Sequence, residues 1–281
     1  MQRFRAPKFF AMLVAAASWP FLAQPHTESS AGEPPSAESR ELGLELGASG
    51  QLERAYALLG PWAKAHPEDL EAVIAAAFCA LDLERFGEAE ALLHDLPIAV
   101  PRVRLLRGRL LLASARFEEV VTVLSPALAT VHEAMEIDVR KLMASALLEL
   151  GRSSEAVGLL ERYGSGVPTA LLLSRALFEN GSPERARSVL EPLARQLAAA
   201  SPQAAPADRG LVTAVSAQYG RVLHALGDSE AAIPFLELAA TADPENRIAW
   251  HTLGHALAAA GRRPEALDAL ARAQRLLETR P

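Results

Sequence analysis

The stretch Arg247–Glu278, RIAWHTLGHALAAAGRRPEALDALARAQRLLE, decides how the whole chain reads. Trp250, Leu253, Gly254 and Leu257 recur at i, i+3, i+4 and i+7, which puts them on one face of an α-helix. Gly261 follows at a place suited to the left-handed turn that closes a helix. Pro264 then falls where a new helix tolerates a missing amide proton. Ala266, Leu270 and Ala273 lie along one face of that second helix. Two helices joined in this way each keep an apolar face that only a neighbouring pair can cover.

Working outward, the same arrangement recurs seven times. The small residues Ala55, Ala89, Val120, Ala156, Ala186, Ala232 and Ala266 are each followed, four positions on, by Leu59, Leu93, Leu124, Leu160, Leu190, Leu236 and Leu270. Successive small residues are 34, 31, 36, 30, 46 and 34 positions apart. Gly50, Gly151, Gly181, Gly227 and Gly261 each precede one of them at the turn; Glu84 and Ala115 stand there in units two and three, so the pattern does not fix those two turns. Leu42–Gly43 and Tyr219–Gly220 repeat the large–small step of Leu253–Gly254, and the small member lets the second helix of the pair approach. Pro61, Pro126 and Pro192 recur six residues after the small residue and are expected to kink or shorten their helices. The 46-residue spacing contains an insertion, Leu197–Asp208, read as a loop.

This pattern resembles the tetratricopeptide repeat (TPR), whose unit of about 34 residues carries Trp, Leu-Gly, Gly, Ala, Leu, Ala and Pro at set intervals. The last unit carries it through Trp250, Leu253, Gly254, Leu257, Gly261, Ala266, Leu270 and Ala273, and Asp243–Pro244 and His66–Pro67 close two earlier ones. The resemblance runs from about Ser36 to Glu278; it is strong in units one, six and seven and degenerate in two to five. It implies an all-α fold, an α-α superhelix or TPR-like solenoid of about seven helix pairs over residues 39–278. It also implies that first helices line a groove that holds a protein or peptide.

Composition agrees. Half of the 281 residues are apolar and only 5% are aromatic, with Ala and Leu prominent, a balance that favours helices over strands. Net charge is −6, and Arg3, Arg5 and Lys8 lie in the first 23 residues without an acid, so the remainder is more acidic still. Such a body repels a phosphate backbone, and nucleic acid is not an expected partner. Cys79 is the single cysteine, which excludes an intrachain disulfide, and its apolar neighbourhood Val73–Leu81 marks it as a buried small hydrophobe. No nucleophile elbow, phosphate-binding loop or dinucleotide glycine cluster occurs, so no enzyme activity and no cofactor is expected.

The basic head and the apolar run Phe9–Ala23 read as a signal peptide or a membrane anchor over residues 1–23. Residues 24–38, rich in Ser, Pro, Gly and Glu, read as a disordered linker. The expected location is therefore periplasmic or exported, with membrane contact only through residues 9–23.

In the groove that the resemblance implies, the residue after the large–small step, with those four before and three after it, falls on one helical face. Phe78, Arg109, Lys141, Arg175, Phe178, Arg221, His251 and His255 are the candidate partner-binding residues. Arg40 falls on the same projected face. Arg109, Lys141, Arg175 and Arg221 form a basic row in an acidic protein and suit a ligand with acidic groups or a free carboxyl terminus. The competing expectation is that these cations only neutralise Asp82, Glu149 and Glu179. His224, His251 and His255 supply enough nitrogen for an alternative role in metal or small-ligand binding, although Thr252 stands where a zincin helix carries Glu. The function expected first is a non-enzymatic scaffold or assembly factor of the cell envelope.

Overall fold

The computed structural model describes residues 36–129, 133–163, 166–200 and 209–278. The expected leader, residues 1–23, lies outside the described residues, as does most of the expected linker. Among the described residues the chain is all-α, with fourteen α-helices, as the repeat pattern requires. The first helix, α1 (Ala37–Ala48), begins just inside the segment expected to be linker, because the Ser36 side chain accepts the Ser39 amide and caps it.

The chain divides into two compact units between Gly151 and Arg152. The first holds α1, α2 (Leu52–Ala65), α3 (Leu70–Asp82), α4 (Phe86–Leu93), α5 (Pro101–Ala113), α6 (Phe117–Leu124) and α7 (Glu133–Glu149). The second holds α8 (Ser153–Leu160), α9 (Val167–Glu179), α10 (Pro183–Ala200), α11 (Arg209–Ala225), α12 (Ser229–Ala242), α13 (Arg247–Ala259) and α14 (Arg263–Glu278). Within each unit every helix packs against the next, and first helices also pack on first helices: α1 on α3, α3 on α5, α5 on α7, and likewise α9 on α11 and α11 on α13.

The repeated small residues and leucines are the interior. Ala55, Ala89, Val120, Ala156, Ala186 and Ala232 are fully buried, and their leucines Leu59, Leu93, Leu124, Leu160, Leu190 and Leu236 are at most 1% exposed. Burying one leucine side chain contributes about 2 kcal/mol, so each repeat carries its own core element. Leu270 on α14 is only half-buried.

Four of these leucines sit against a glycine of the preceding helix. A Cβ on Gly43, Gly108, Gly220 or Gly254 would come within 2.6–2.9 Å of a side-chain carbon of Leu59, Leu124, Leu236 or Leu270, respectively. The large–small step is thus a notch that receives the branched end of the leucine from the next helix.

The seven turns that join the two helices of a pair share one backbone conformation. Gly50, Gly151, Gly181, Gly227 and Gly261 take left-handed φ between 73° and 86°, and Glu84 and Ala115 take the same conformation at 57° and 56°. The two turns that the sequence pattern leaves open, in units two and three, thus take the same form as the rest. At Glu84 the backbone bonds run Glu84 N–H to Leu81 O (3.1 Å) and Arg85 N–H to Ala80 O (2.8 Å), matching Gly50 to Gly47 (3.1 Å) and Gln51 to Leu46 (2.9 Å). Two bonds and the packing of both flanking helices hold a non-glycine residue in a region it avoids on its own.

The prolines behave differently from one another. Pro61 and Pro192 stand inside helices of 14 and 18 residues, so neither shortens its helix. Beyond them Ala63 and Ala194 are buried, and that packing carries the helix past the missing hydrogen bond. Pro126 does act as expected: α6 stops at Leu124 and a 3₁₀ turn, Ser125–Ala129, follows. The expected loop Leu197–Asp208 is also corrected, since α10 stays helical through Ala200, an alanine-rich run of high helix propensity; residues 201–208 lie outside the described residues. The short α4 is closed by a side chain that the repeat pattern does not reveal, because Arg107 donates to the carbonyls of Leu93, His94 and Leu96 at 2.8–2.9 Å.

Two substitutions test this architecture. Gly220→Ala gains about 1 kcal/mol of helix propensity but forces a methyl group to 2.6 Å from Leu236 Cγ; overpacking costs more, so chemical denaturation should show a net loss of about 1–2 kcal/mol. Ala115→Gly and Glu84→Gly remove left-handed strain at exposed positions and should each raise stability by about 0.5–1 kcal/mol in the same measurement.

Candidate functional site

In the first unit the projected cations are matched by acids. Arg109 on α5 pairs with Asp82 at the end of α3, both largely buried, and its guanidinium lies 5.3 Å from the centre of the Phe78 ring. Lys141 on α7 pairs with Asp138 one turn earlier at 2.7 Å. Arg40, on the same projected face of α1, reaches the start of α3, where it bonds Asp69 and, at 2.8 Å, Glu71. Phe78 is 37% exposed. Ser145, Leu81, Leu148 and Leu171, all on the projected groove face, are instead buried, because first helices pack on one another along part of that face.

Asp69 is the hub of its corner. It caps α3 through the Ala72 amide (3.2 Å) and accepts Trp62 Nε1–H at 2.9 Å, while Trp62 stacks on His66 with ring centres 3.8 Å apart. The Arg40 guanidinium holds the Asp69 carboxyl well below the usual range, helped by the Trp62 and Ala72 donors against the opposing effect of burial.

In the second unit the faces of α9, α11 and α13 carry six of the residues that the sequence points to. Arg175 bonds Glu179 one turn on at 2.8 Å. Arg221 on α11 lies 4.6 Å over the Phe178 ring of α9 and forms no ion pair among the described residues. Burial pushes its guanidinium down, with Glu179 opposing that and Arg175 adding to it. His224, a turn beyond Arg221, bonds the Ser229 hydroxyl through Nδ1 at 2.9 Å. On α13 the Nε2 atoms of His251 and His255 are 3.3 Å apart. Burial lowers the His224 imidazole, with the charge of His255 adding to it; His251 is lowered by burial, then by His255 and Arg247.

Of the eight candidate residues, the structure groups Arg175, Phe178, Arg221, His251 and His255 in one unit, together with His224. Phe78, Arg109 and Lys141 belong to the other unit. Among the described residues no three His, Cys, Asp or Glu side chains are grouped so as to hold a metal ion, so His224, His251 and His255 do not form the three-nitrogen site considered for them. Arg109 pairs with Asp82 and Arg175 with Glu179, as neutralisation of nearby acids requires, whereas Arg221 forms no ion pair among the described residues and only feels the charge of Glu179. Lys141 turns to Asp138 instead, an acid three residues earlier that helical spacing alone reveals. Cys79 is 1% exposed and burial pushes its thiol up to about 11, which keeps it unreactive.

Paired helices, left-handed turns and glycine notches define a helical-repeat protein of the TPR class, and a tetratricopeptide repeat model matches residues 215–246. The model described as T7SS, ESX-1 secretion system protein EccA1, N-terminal domain, matches residues 36–216, more than half of the chain, and the chain belongs to that family. Among curated proteins none matches. Similar solved structures include MamA (AMB-1), 21% identical, covering 63% of this chain and 99% of that one with a TM-score of 0.48. TTC0263, described as a thermophilic TPR protein in Thermus thermophilus, is 21% identical, covering 64% of this chain and 93% of that one with a TM-score of 0.47. YrrB, described as a TPR protein with an unusual peptide-binding site, is 16% identical, covering 79% and 93% with a TM-score of 0.38.

The Asp69 corner makes a pH-dependent prediction. A carboxyl held below its ordinary range stabilises the fold above that range and loses the contribution as pH falls through it toward the folded value. Asp69→Asn should therefore unfold about 2 kcal/mol more easily at pH 7, and the gap to the parent should shrink in denaturant titrations taken from pH 4 downward.

Proposed function

We propose that the chain is a non-enzymatic protein–protein interaction scaffold serving secretion, and that it holds an acidic segment or carboxyl terminus of its partner on the first helices of the second unit. The observation that carries this reading is Arg221. It is a half-buried guanidinium resting on the Phe178 ring with no carboxylate paired to it among the described residues, in a chain with net charge −6. Desolvating a cation without an acid partner is costly, and an anionic ligand supplies the missing charge. Phe178 gives the same ligand an apolar surface, while Arg175 and the exposed His251 and His255 extend the basic face.

Arg109 and Lys141 drop out of the ligand-gripping set in this reading, because they lie in the other unit from Arg221 and Asp82 and Asp138 already satisfy them, while Arg175, though bonded to Glu179, stays beside Arg221. Exposed Phe78 remains an apolar contact available in the first unit. The description of the matched family, a T7SS ESX-1 secretion system protein, supports a place in secretion. Export of the chain itself, or its anchoring at a membrane, rests on Arg3, Arg5 and Lys8 followed by Phe9–Ala23. Among the described residues no helix is long and apolar enough to cross a membrane.

The test is co-purification from the native host with the full chain and its Arg175→Glu, Arg221→Glu double variant. Reversing two charges at a desolvated contact costs several kcal/mol, so the partner recovered with the parent should be lost or reduced at least tenfold. Equal recovery by a variant whose circular dichroism matches the parent rules out this face as the binding surface.

A further inference from the structure

The imidazole pair on α13 is built differently from the rest of the basic face. His251 and His255 are both exposed, and each could turn its ring to water. Instead their Nε2 atoms meet at 3.3 Å with ring centres 4.5 Å apart. That contact is stable only when one ring donates N–H and the other presents a lone pair, which needs at least one neutral imidazole. If both rings are protonated, two N–H groups face each other and the contact breaks. Both donors then become available to something that accepts from both, and a carboxylate or phosphate oxygen is such a group.

We propose that the His251–His255 pair, with His224 and, a turn before it, Arg221 on the adjoining α11, is a proton-gated oxyanion site: closed on itself when neutral, and opened by protonation to grip an acidic ligand. This deepens the partner-binding reading of the same face and rests on it. His224 belongs to the gate because its Nδ1 is held by Ser229 at the start of α12, leaving Nε2 as its free nitrogen, and because the charge of His255 acts on it. The charged groups acting on these rings and on Arg221 are Arg175 and Glu179 from α9 and Arg247 from α13 itself, while α12 contributes the Ser229 hydroxyl.

That set is cationic apart from Glu179. Burial and the neighbouring positive charges keep His224 and His251 below the ordinary imidazole value, so the free protein holds them neutral at pH 7.5. A bound carboxylate reverses the balance, favouring the charged rings and drawing a proton from solution. Ligand binding and proton uptake are then two sides of one equilibrium. A shift of about one and a half units in a single histidine on binding tightens affinity roughly tenfold between pH 7.5 and 5.5.

Calorimetric titration of the full chain with N-acetyl-tetraglutamate, at pH 5.5 and 7.5 in two buffers of different ionisation heat, tests this. Glutamate side chains stay largely ionised at both values, so the probe's own charge changes little. The expected result is about tenfold tighter binding at pH 5.5 with net proton uptake, reduced to within about twofold in the His251→Gln, His255→Gln variant. Equal affinity at both values, or a pH dependence that survives in that variant, overturns the gate and leaves the partner-binding reading standing. Absence of binding at either pH, with Arg221→Gln indistinguishable from the parent, overturns both.

Discussion

The interaction on which the rest depends is the seating of one branched side chain in one missing one. Where Gly43, Gly108, Gly220 and Gly254 stand, the following helix brings Leu59, Leu124, Leu236 and Leu270 so close that a methyl group has no room. Glycine inside a helix costs about 1 kcal/mol relative to alanine, so these positions keep a residue that weakens the local helix. The compensation is tertiary. Close approach lets Leu59, Leu124 and Leu236 lose nearly all contact with water, leaves Leu270 of the last helix half-buried, and fixes both the crossing and the register of the pair. Ala77 and Ser174 do the same work in the second and fifth pairs, both fully buried with small side chains. A leucine that has its notch can sit in one place only, and the turn before it must then have one length.

That requirement explains why Glu84 and Ala115 adopt a conformation their side chains disfavour. The turn is a consequence of two helices that must cross at fixed points, and its hydrogen bonds are the same whether glycine is present or not. Local strain of about 1–2 kcal/mol is small beside the burial of a leucine, an alanine and their neighbours. The same balance governs the prolines. Pro61 and Pro192 sit in helices that continue because Ala63 and Ala194 are buried beyond them, whereas α6 ends before Pro126. Local propensity marks where these elements bend or stop only where packing is indifferent.

Legibility in the sequence follows from the same distinction. The fold is readable because its cause is periodic: small residue, leucine and turn recur once in every helix pair. Turns at Glu84 and Ala115 are harder to read, since a rule about which residues tolerate positive φ says nothing about neighbours that impose it. The candidate site is legible as a face and illegible as chemistry. Helical spacing places Arg109, Lys141, Arg175 and Arg221 on one projected face, but whether a cation is spent depends on which acid comes within reach in the folded chain. Asp82 reaches Arg109 from a different helix, and Asp69 gathers Arg40 and Trp62 from α1 and α2. Such pairings are set by tertiary contact and leave no periodic trace.

Once those pairings are known, the second unit stands apart for a physical reason. A repeat array reuses one backbone position many times, so equivalent side chains meet nearly equivalent surroundings and differences between them are informative. Arg109 and Arg221 occupy matching places, and each lies over the matching or next aromatic ring, Phe78 or Phe178. Arg109 has Asp82 within reach, and Arg221 has Glu179, which bonds Arg175 instead. The charge of Glu179 acts on Arg221 while its carboxylate bonds Arg175, and the neighbouring helix adds imidazoles, His255 at the position that matches Arg109, Arg175 and Arg221 and His251 at the one that matches Lys141. Holding a cation half-buried without its counter-ion lowers stability. Among the described residues the other projected cations of the first unit are paired, and this contrast is what supports the proposed anionic ligand at Arg221.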